Sequence, residues 1–185
     1  MKKAIVIGCP GSGKTTFAEK LNKRTGLCLF YLDAIWHKPD RTHISRDEYD
    51  EILEEIFKLD EWIIDGNYSR TIEKRIKNCD TVFLFDLPTE VCLQGAVSRL
   101  GESRYDVPWI DTELDPKFKK EIEEFSNSVL PLSAKSVSLW KKEASSKSKP
   151  QCFNLWLAEQ AQIHSKPITK HLAHRCTCVL LQNFI

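Results

Sequence analysis

An α/β fold, a parallel sheet with helices on both faces, is what this 185-residue chain predicts, and three observations predict it. Short apolar runs alternate with amphipathic helical stretches through residues 1–130, the pattern of strands joined by covering helices. The first run, Ala4-Ile5-Val6-Ile7, leads straight into Gly8-Cys9-Pro10-Gly11-Ser12-Gly13-Lys14-Thr15, which fits the phosphate-binding P-loop pattern G-x-x-x-x-G-K-[ST] in its strand-to-helix setting. Three later runs end on aspartate, at Asp33, Asp65 and Asp86, the carboxyl edge at which open parallel sheets bind ligands.

Taken in order, residues 3–7 form strand one, and the first helix runs from about Gly13 to Arg24, stopping at Gly26 where a helix C-terminus favours glycine. Residues 27–32 are a continuously apolar second strand. A loop carrying Trp36, His37, Pro39, Asp40 and Arg41 leads to Ser45-Arg46-Asp47-Glu48, a capping-box pattern. The helix that follows puts Ile52, Leu53, Ile56 and Phe57 on one face. Residues 61–64 are strand three, residues 71–77 a short helix, and residues 81–85 strand four. Pro88 suits the first turn of the next helix, which reaches about Leu100. Residues 101–112 are polar and irregular, and residues 116–129 form a last amphipathic helix.

The P-loop fixes the ligand chemistry. Its glycines let the backbone wrap closely around phosphate oxygens, with the amide N–H groups pointing inward. The start of helix one adds unpaired donors and the positive end of its dipole. Gly8, Pro10, Gly11, Ser12, Gly13, Lys14, Thr15 and Thr16 are the expected nucleotide-binding residues. Lys14 supplies a charge for the β- and γ-phosphates, and the Thr15 hydroxyl a ligand for Mg²⁺. ATP and Mg²⁺ are the expected cofactors. Asn22-Lys23-Arg24-Thr25 only superficially resembles a guanine-reading motif, since it lacks the aspartate and lies in helix one. The chain is also short for a large ATPase.

A small kinase is the best fit to the remaining residues. Phosphoryl transfer needs positive charge over the migrating group, a bound cation and a held acceptor. Arg99 and Arg104 flank the irregular stretch, where an arginine-bearing lid would close over ATP; plain surface arginines are the competing reading. Asp65 is expected to hold Mg²⁺ through water, and Asp33 to hold or deprotonate an acceptor hydroxyl. Trp36, Tyr68, Arg70 and Arg75 are the candidate acceptor pocket, with core packing the alternative for the two aromatic residues.

A formal net charge of +1 gives no overall field for nucleic acid or membrane. The average hides an asymmetry: residues 1–130 carry 19 Lys/Arg against 24 Asp/Glu, whereas residues 131–185 carry 8 against 2. Seven scattered cysteines do not make a secreted disulfide framework, so reduced thiols and a cytoplasmic location are expected. No segment approaches the ~20 apolar residues of a membrane span. From Pro131 the alternation stops. Ser145-Ser146-Lys147-Ser148-Lys149-Pro150 reads as a solvated linker, residues 153–163 as a helix, and residues 179–181 as a short strand. The division expected is a kinase-like domain over 1–130 and a loosely ordered basic tail over 131–185, with strand four an uncovered edge unless residues 179–181 return to it. His171, His174, Cys176 and Cys178 suit Zn²⁺ by residue type, but their crowding leaves little chain for a closed site.

The P-loop segment, together with Leu32-Asp33-Ala34-Ile35-Trp36, Trp62-Ile63-Ile64-Asp65-Gly66-Asn67-Tyr68, residues 80–88 and Arg104-Tyr105-Asp106-Val107-Pro108-Trp109, resembles the bacterial DNA topology modulation protein family. The resemblance covers about residues 1–130. It implies an adenylate-kinase-like P-loop NTPase with sheet order 2-3-1-4-5, of which the first four strands are legible in this sequence and the fifth is doubtful. It also implies that Arg75 matches an arginine before strand four, whereas Gly95 departs from a basic residue usual in the helix before the lid. It supplies no substrate, because the family name reflects a regulatory phenotype. Two functions follow: a kinase acting on a small hydroxylated metabolite or nucleotide, or a nucleotide-dependent regulator of DNA topology. Residues 1–130 have no basic helical stripe, so direct duplex binding is not expected.

Overall fold

Ile5 and Ile7 pack into one apolar cluster while Ala4 and Val6 pack into another, so strand one is buried on both faces, as a central parallel strand must be. The computed structural model describes residues 1–128 and the backbone of residues 154–157. The elements are β1 (Lys3–Gly8), α1 (Lys14–Thr25), β2 (Leu29–Tyr31), α2 (Leu32–Trp36), α3 (Arg46–Lys58), β3 (Trp62–Asp65), a 3-10 turn (Ser69–Thr71), α4 (Ile72–Asn78), β4 (Thr81–Phe85), α5 (Thr89–Val97), α6 (Pro116–Ser128) and β5 (Asn154–Leu157). The strands make one parallel sheet in the order β2-β3-β1-β4-β5.

One face carries α2, α3 and α4, with Leu32, Leu53, Ile56 and Ile76 against Ile5, Ile7, Trp62, Val82 and Leu84 of the sheet. The other carries α1, whose Ala18 and Phe17 meet Val6, Ile63, Phe83 and Phe85. A third cluster joins Cys9 of the P-loop to Cys92 and Ala96 of α5 and to Ile122 and Phe125 of α6. The chain therefore has an α/β P-loop NTPase fold. The capping box forms as read, the Glu48 amide donating to Ser45 Oγ at 3.1 Å. Gly26 ends α1 with its N–H on the Asn22 carbonyl and a left-handed φ of 73°.

Three expectations need correction. Residues 154–157 are a strand, not part of a helix over 153–163, and they pair with β4 in the register Val82↔Leu155 and Phe83↔Trp156. The periodicity of a four-residue apolar run does not separate helix from strand; the unpaired N–H and C=O groups of β4 do, by requiring a partner. β4 is thus covered by β5, and residues 179–181 and the His171 to Cys178 cluster lie outside the described residues. The second strand is only Leu29–Tyr31, and the chain turns directly into α2 at Leu32, so Asp33 stands in the first turn of a short helix and not on a strand end. Asp86, lastly, is exposed and does not join Asp33 and Asp65. Among the described residues no helix is long and apolar enough to cross a membrane.

Candidate functional site

The P-loop is held from below by a side chain 59 positions away in sequence. The Gly8 amide donates to Asn67 Oδ1 at 2.9 Å, and Asn67 Nδ2 donates back to the Gly8 carbonyl at 2.5 Å. Above it, the Ser12 amide closes a turn on the Cys9 carbonyl at 3.1 Å. Gly11 has a φ of +82°, and a Cβ there would stand 2.0 Å from the Cys92 carbonyl oxygen, so this position requires glycine twice over. α5 answers with Gly95, whose absent Cβ would lie 2.1 Å from the Gly11 carbonyl oxygen. Gly95 is therefore where the P-loop rests on α5, which accounts for the missing basic residue.

Gly11, Gly13, Lys14, Thr15 and Thr16 line a cleft of about 440 Å³ together with Arg99 and Arg104. Ser12 Oγ is buried with no hydrogen-bond partner, a donor left over in a loop built for anions. Lys14 is buried at the cleft wall yet belongs to none of the apolar clusters. Behind it stands Asp65, 4% exposed. Burial pushes its carboxyl up to about 6, against the opposing pull of Lys14 and of the Thr15 hydroxyl. One carboxylate oxygen, Oδ1, has no hydrogen-bond partner. A desolvated carboxylate with an orphaned oxygen beside the Thr15 hydroxyl is a donor set that fits Mg²⁺, a hard cation that takes oxygen ligands. Its chemistry there would be to neutralise phosphate charge.

The irregular stretch is a loop closed at its base by the Gly101 amide on the Asp111 carbonyl at 2.7 Å. Arg104 lies within it, 3.5 Å from Asp106 and 3.7 Å from Asp111, distances at which neither ion pair is a tight hydrogen bond. Arg99 lies over the Phe118 ring at 5.6 Å, its guanidinium held below the usual arginine range by burial and by the charge of Arg104. Trp109 carries the loop onto the segment after α2, its ring 5.1 Å from His37 and 5.4 Å from the Arg41 guanidinium. The stretch thus bridges the cleft from α5 to the far side.

On that far side a second cavity, of about 210 Å³, is lined by Trp36, Arg46, Tyr49, Tyr68, Arg70 and Thr71. Its aromatic rings support one another, Tyr49 stacking on Tyr68 at 5.4 Å and meeting Trp36 edge-on at 5.5 Å. Arg70 donates from both terminal nitrogens to Asp50, each at 2.7 Å. Burial, and next the nearby Asp33 carboxylate, push the Tyr68 phenol up. Asp33 lines neither cavity, but its charge acts on Tyr68 of the aromatic one and on Arg99 of the cleft.

Arg75, expected in the acceptor pocket, is placed elsewhere. It is fully buried and donates to the carbonyls of Gly66, Asn67 and Tyr68 at 2.7, 2.9 and 2.9 Å. Burial lowers it to about 10, still charged at neutral pH. It shapes the loop that presents Asn67 and Tyr68 and does not reach the cavity. Sequence reading missed Asn67, Tyr49 and Gly95. Tyr49 had a signal, lying on the helical face of Ile52, Leu53 and Ile56; Asn67 and Gly95 have roles that exist only across long-range contacts.

No protein-family model matches the chain, and no curated protein matches it. Among solved structures it is similar to a gluconokinase from Sinorhizobium meliloti 1021, at 12% identity over 78% of this chain and 94% of that one, with a TM-score of 0.46. It is likewise similar to shikimate kinase from Bacteroides thetaiotaomicron (13% identity, 75% and 81% covered, TM-score 0.48) and to shikimate kinase from Aquifex aeolicus (16%, 77% and 94%, 0.46). These likenesses concern fold only, and the DNA topology modulation family is not among them.

Proposed function

We propose that the chain is an ATP-dependent phosphotransferase that moves the γ-phosphoryl group to a hydroxyl of a small metabolite or nucleotide. The observation that carries this reading is a separate aromatic-walled cavity besides the P-loop cleft, with the Asp33 carboxylate acting on a lining residue of each. A nucleotide-binding regulator needs the first cavity and has no use for the second. Trp36 and Tyr68 give an acceptor an apolar surface, and Arg46 offers charge at its rim, where Arg70 is held by Asp50.

In the reaction the bond from the γ-phosphorus to the β-bridging oxygen breaks as the bond to the acceptor oxygen forms, and the acceptor proton passes to a carboxylate oxygen of Asp33. Lys14 and the P-loop amides hold the β- and γ-phosphates. Arg104, only loosely paired, is free to move onto the transferring group, where charge spreads over its equatorial oxygens. Thr15 and Asp65 would hold Mg²⁺, which supplies charge neutralisation when bound. The bridging loop at 101–112 excludes water, so that transfer to the acceptor wins over hydrolysis. The test is acceptor-dependent ADP release across a panel of hydroxylated metabolites, nucleosides and nucleotides. One compound raising release well above the rate in water supports the reading. Nucleotide binding with no acceptor-dependent release from any of them would turn it toward the regulatory alternative.

A further inference from the structure

The cleft does not carry enough positive charge for the ligand its loop is built to take. Lys14, Arg99 and Arg104 line it against Glu19, Glu102 and Asp106, three cations against three carboxylates, with Asp65 behind Thr15 as a further negative group. A nucleotide brings more negative charge still, so something must compensate the carboxylates when it enters.

Asp106 is the least explained of these groups. It sits in the bridging loop, 6% exposed, and its Oδ1 has no hydrogen-bond partner. The nearest cation is Arg104 Nε at 3.5 Å, beyond the 2.7–3.2 Å range of an N–H···O bond. Asp65, at the end of β3 and behind the cleft lining, has the same defect, a buried carboxylate with an orphaned Oδ1. Both charges, together with that of Glu19, act on the Tyr31 hydroxyl, and Asp106 acts on Asp65, so the carboxylates share one neighbourhood. Leaving a buried carboxylate oxygen without a hydrogen bond is costly, and Asp106 and Asp65 each carry one. A divalent cation arriving with the nucleotide would satisfy both oxygens at once.

We propose that Asp106 is a cation-binding carboxylate: the bridging loop closes on the metal that accompanies the nucleotide, with Asp106 acting from above and Asp65 and Thr15 from below. This rests on the nucleotide reading of the cleft and adds to it a metal-dependent closure of the loop. Arg104 is released by the same event, since the cation replaces it as the partner of Asp106 and leaves it for phosphate. The competing role is a plain ion pair in which Asp106 does nothing but hold Arg104.

Mn²⁺ and ADP serve as probes, with the full chain. Free Mn²⁺ is followed by its paramagnetic resonance signal, and metal-free ADP binding is measured by calorimetry in chelator. Asp106→Asn is expected to weaken Mn²⁺ binding in the ADP complex about 10-fold or more, the scale on which supporting groups of metal sites act. The same variant is expected to bind metal-free ADP as well as the wild type or better, because one negative charge near the phosphates is gone. Asp106→Glu keeps the charge, controls for folding, and should recover part of the Mn²⁺ affinity. Arg104→Gln should do the reverse of Asp106→Asn and weaken metal-free ADP. Unchanged Mn²⁺ affinity in Asp106→Asn, or a loss of metal-free ADP binding matching Arg104→Gln, would overturn the proposal while leaving the nucleotide reading intact. A wild-type chain that binds ADP neither with nor without Mn²⁺ would overturn both.

Discussion

Replacing Gly95 with alanine inverts the usual rule for helices. In an ordinary helix interior the change stabilises by about 0.5–1 kcal/mol, because glycine loses more backbone entropy on folding. Here the new Cβ would lie 2.1 Å from the Gly11 carbonyl oxygen, about 1.3 Å short of the 3.4 Å of ordinary contact. That oxygen is backbone, so no side-chain rotation relieves the clash. α5 cannot simply retreat, because Cys92 and Ala96 are packed with Ile122 and Phe125 of α6. The P-loop must give way instead. Overpacking of this kind costs about 1–3 kcal/mol, so after the helical gain Gly95→Ala is expected to destabilise by about 0.5–2 kcal/mol, a drop of roughly 2–6 °C in melting temperature for a chain of this size. A displaced P-loop is also expected to weaken ADP, because its amide N–H groups no longer converge on the phosphates. Thermal unfolding and calorimetric ADP titration on the purified variant read both effects. An alanine variant that melts at or above the wild-type temperature and binds ADP normally would refute the reasoning, since the packing of Gly11 on Gly95 would then not constrain the loop.

Lys14→Ala is expected to weaken ADP and ATP roughly 10–100-fold, the worth of a hydrogen bond to a charged group lost without replacement, with the circular dichroism spectrum unchanged because Lys14 belongs to no apolar cluster. Arg75→Met leaves three loop carbonyls without their donor and is expected to lower unfolding stability by roughly 3 kcal/mol or more in urea; a smaller loss would mean that the loop finds other donors. Asp65 has its folded pKa raised to about 6 from 3.8, mainly by burial. Its contribution to stability is therefore fully present below about pH 4 and lost as pH rises through 6. Asp65→Asn carries no such titration, so the variant should gain on the wild type across that window, by about 3 kcal/mol on a two-unit shift, while Mn²⁺ binding in the ADP complex falls; parallel stability curves for the two proteins from pH 4 to 7 would contradict the burial of this carboxylate.

How much of this was legible beforehand divides along a physical line. Whatever is encoded in contiguous residues could be read from the sequence: the P-loop, the strand-helix alternation, the Ser45 cap and the Gly26 stop. Each is a local preference of backbone or side chain, expressed within a few residues. Only the tertiary structure decided what depends on surfaces meeting. Asn67 matters because its amide exchanges two hydrogen bonds with Gly8, and Gly95 because Gly11 occupies the volume its side chain would need. Arg75 looked like a substrate ligand and is a buried brace, since burial leaves a guanidinium no stable option but to satisfy the carbonyls around it. Four apolar-rich residues at 154–157 became a strand because β4 has an edge to be paired, and a sequence pattern contains no record of which edges a fold leaves open.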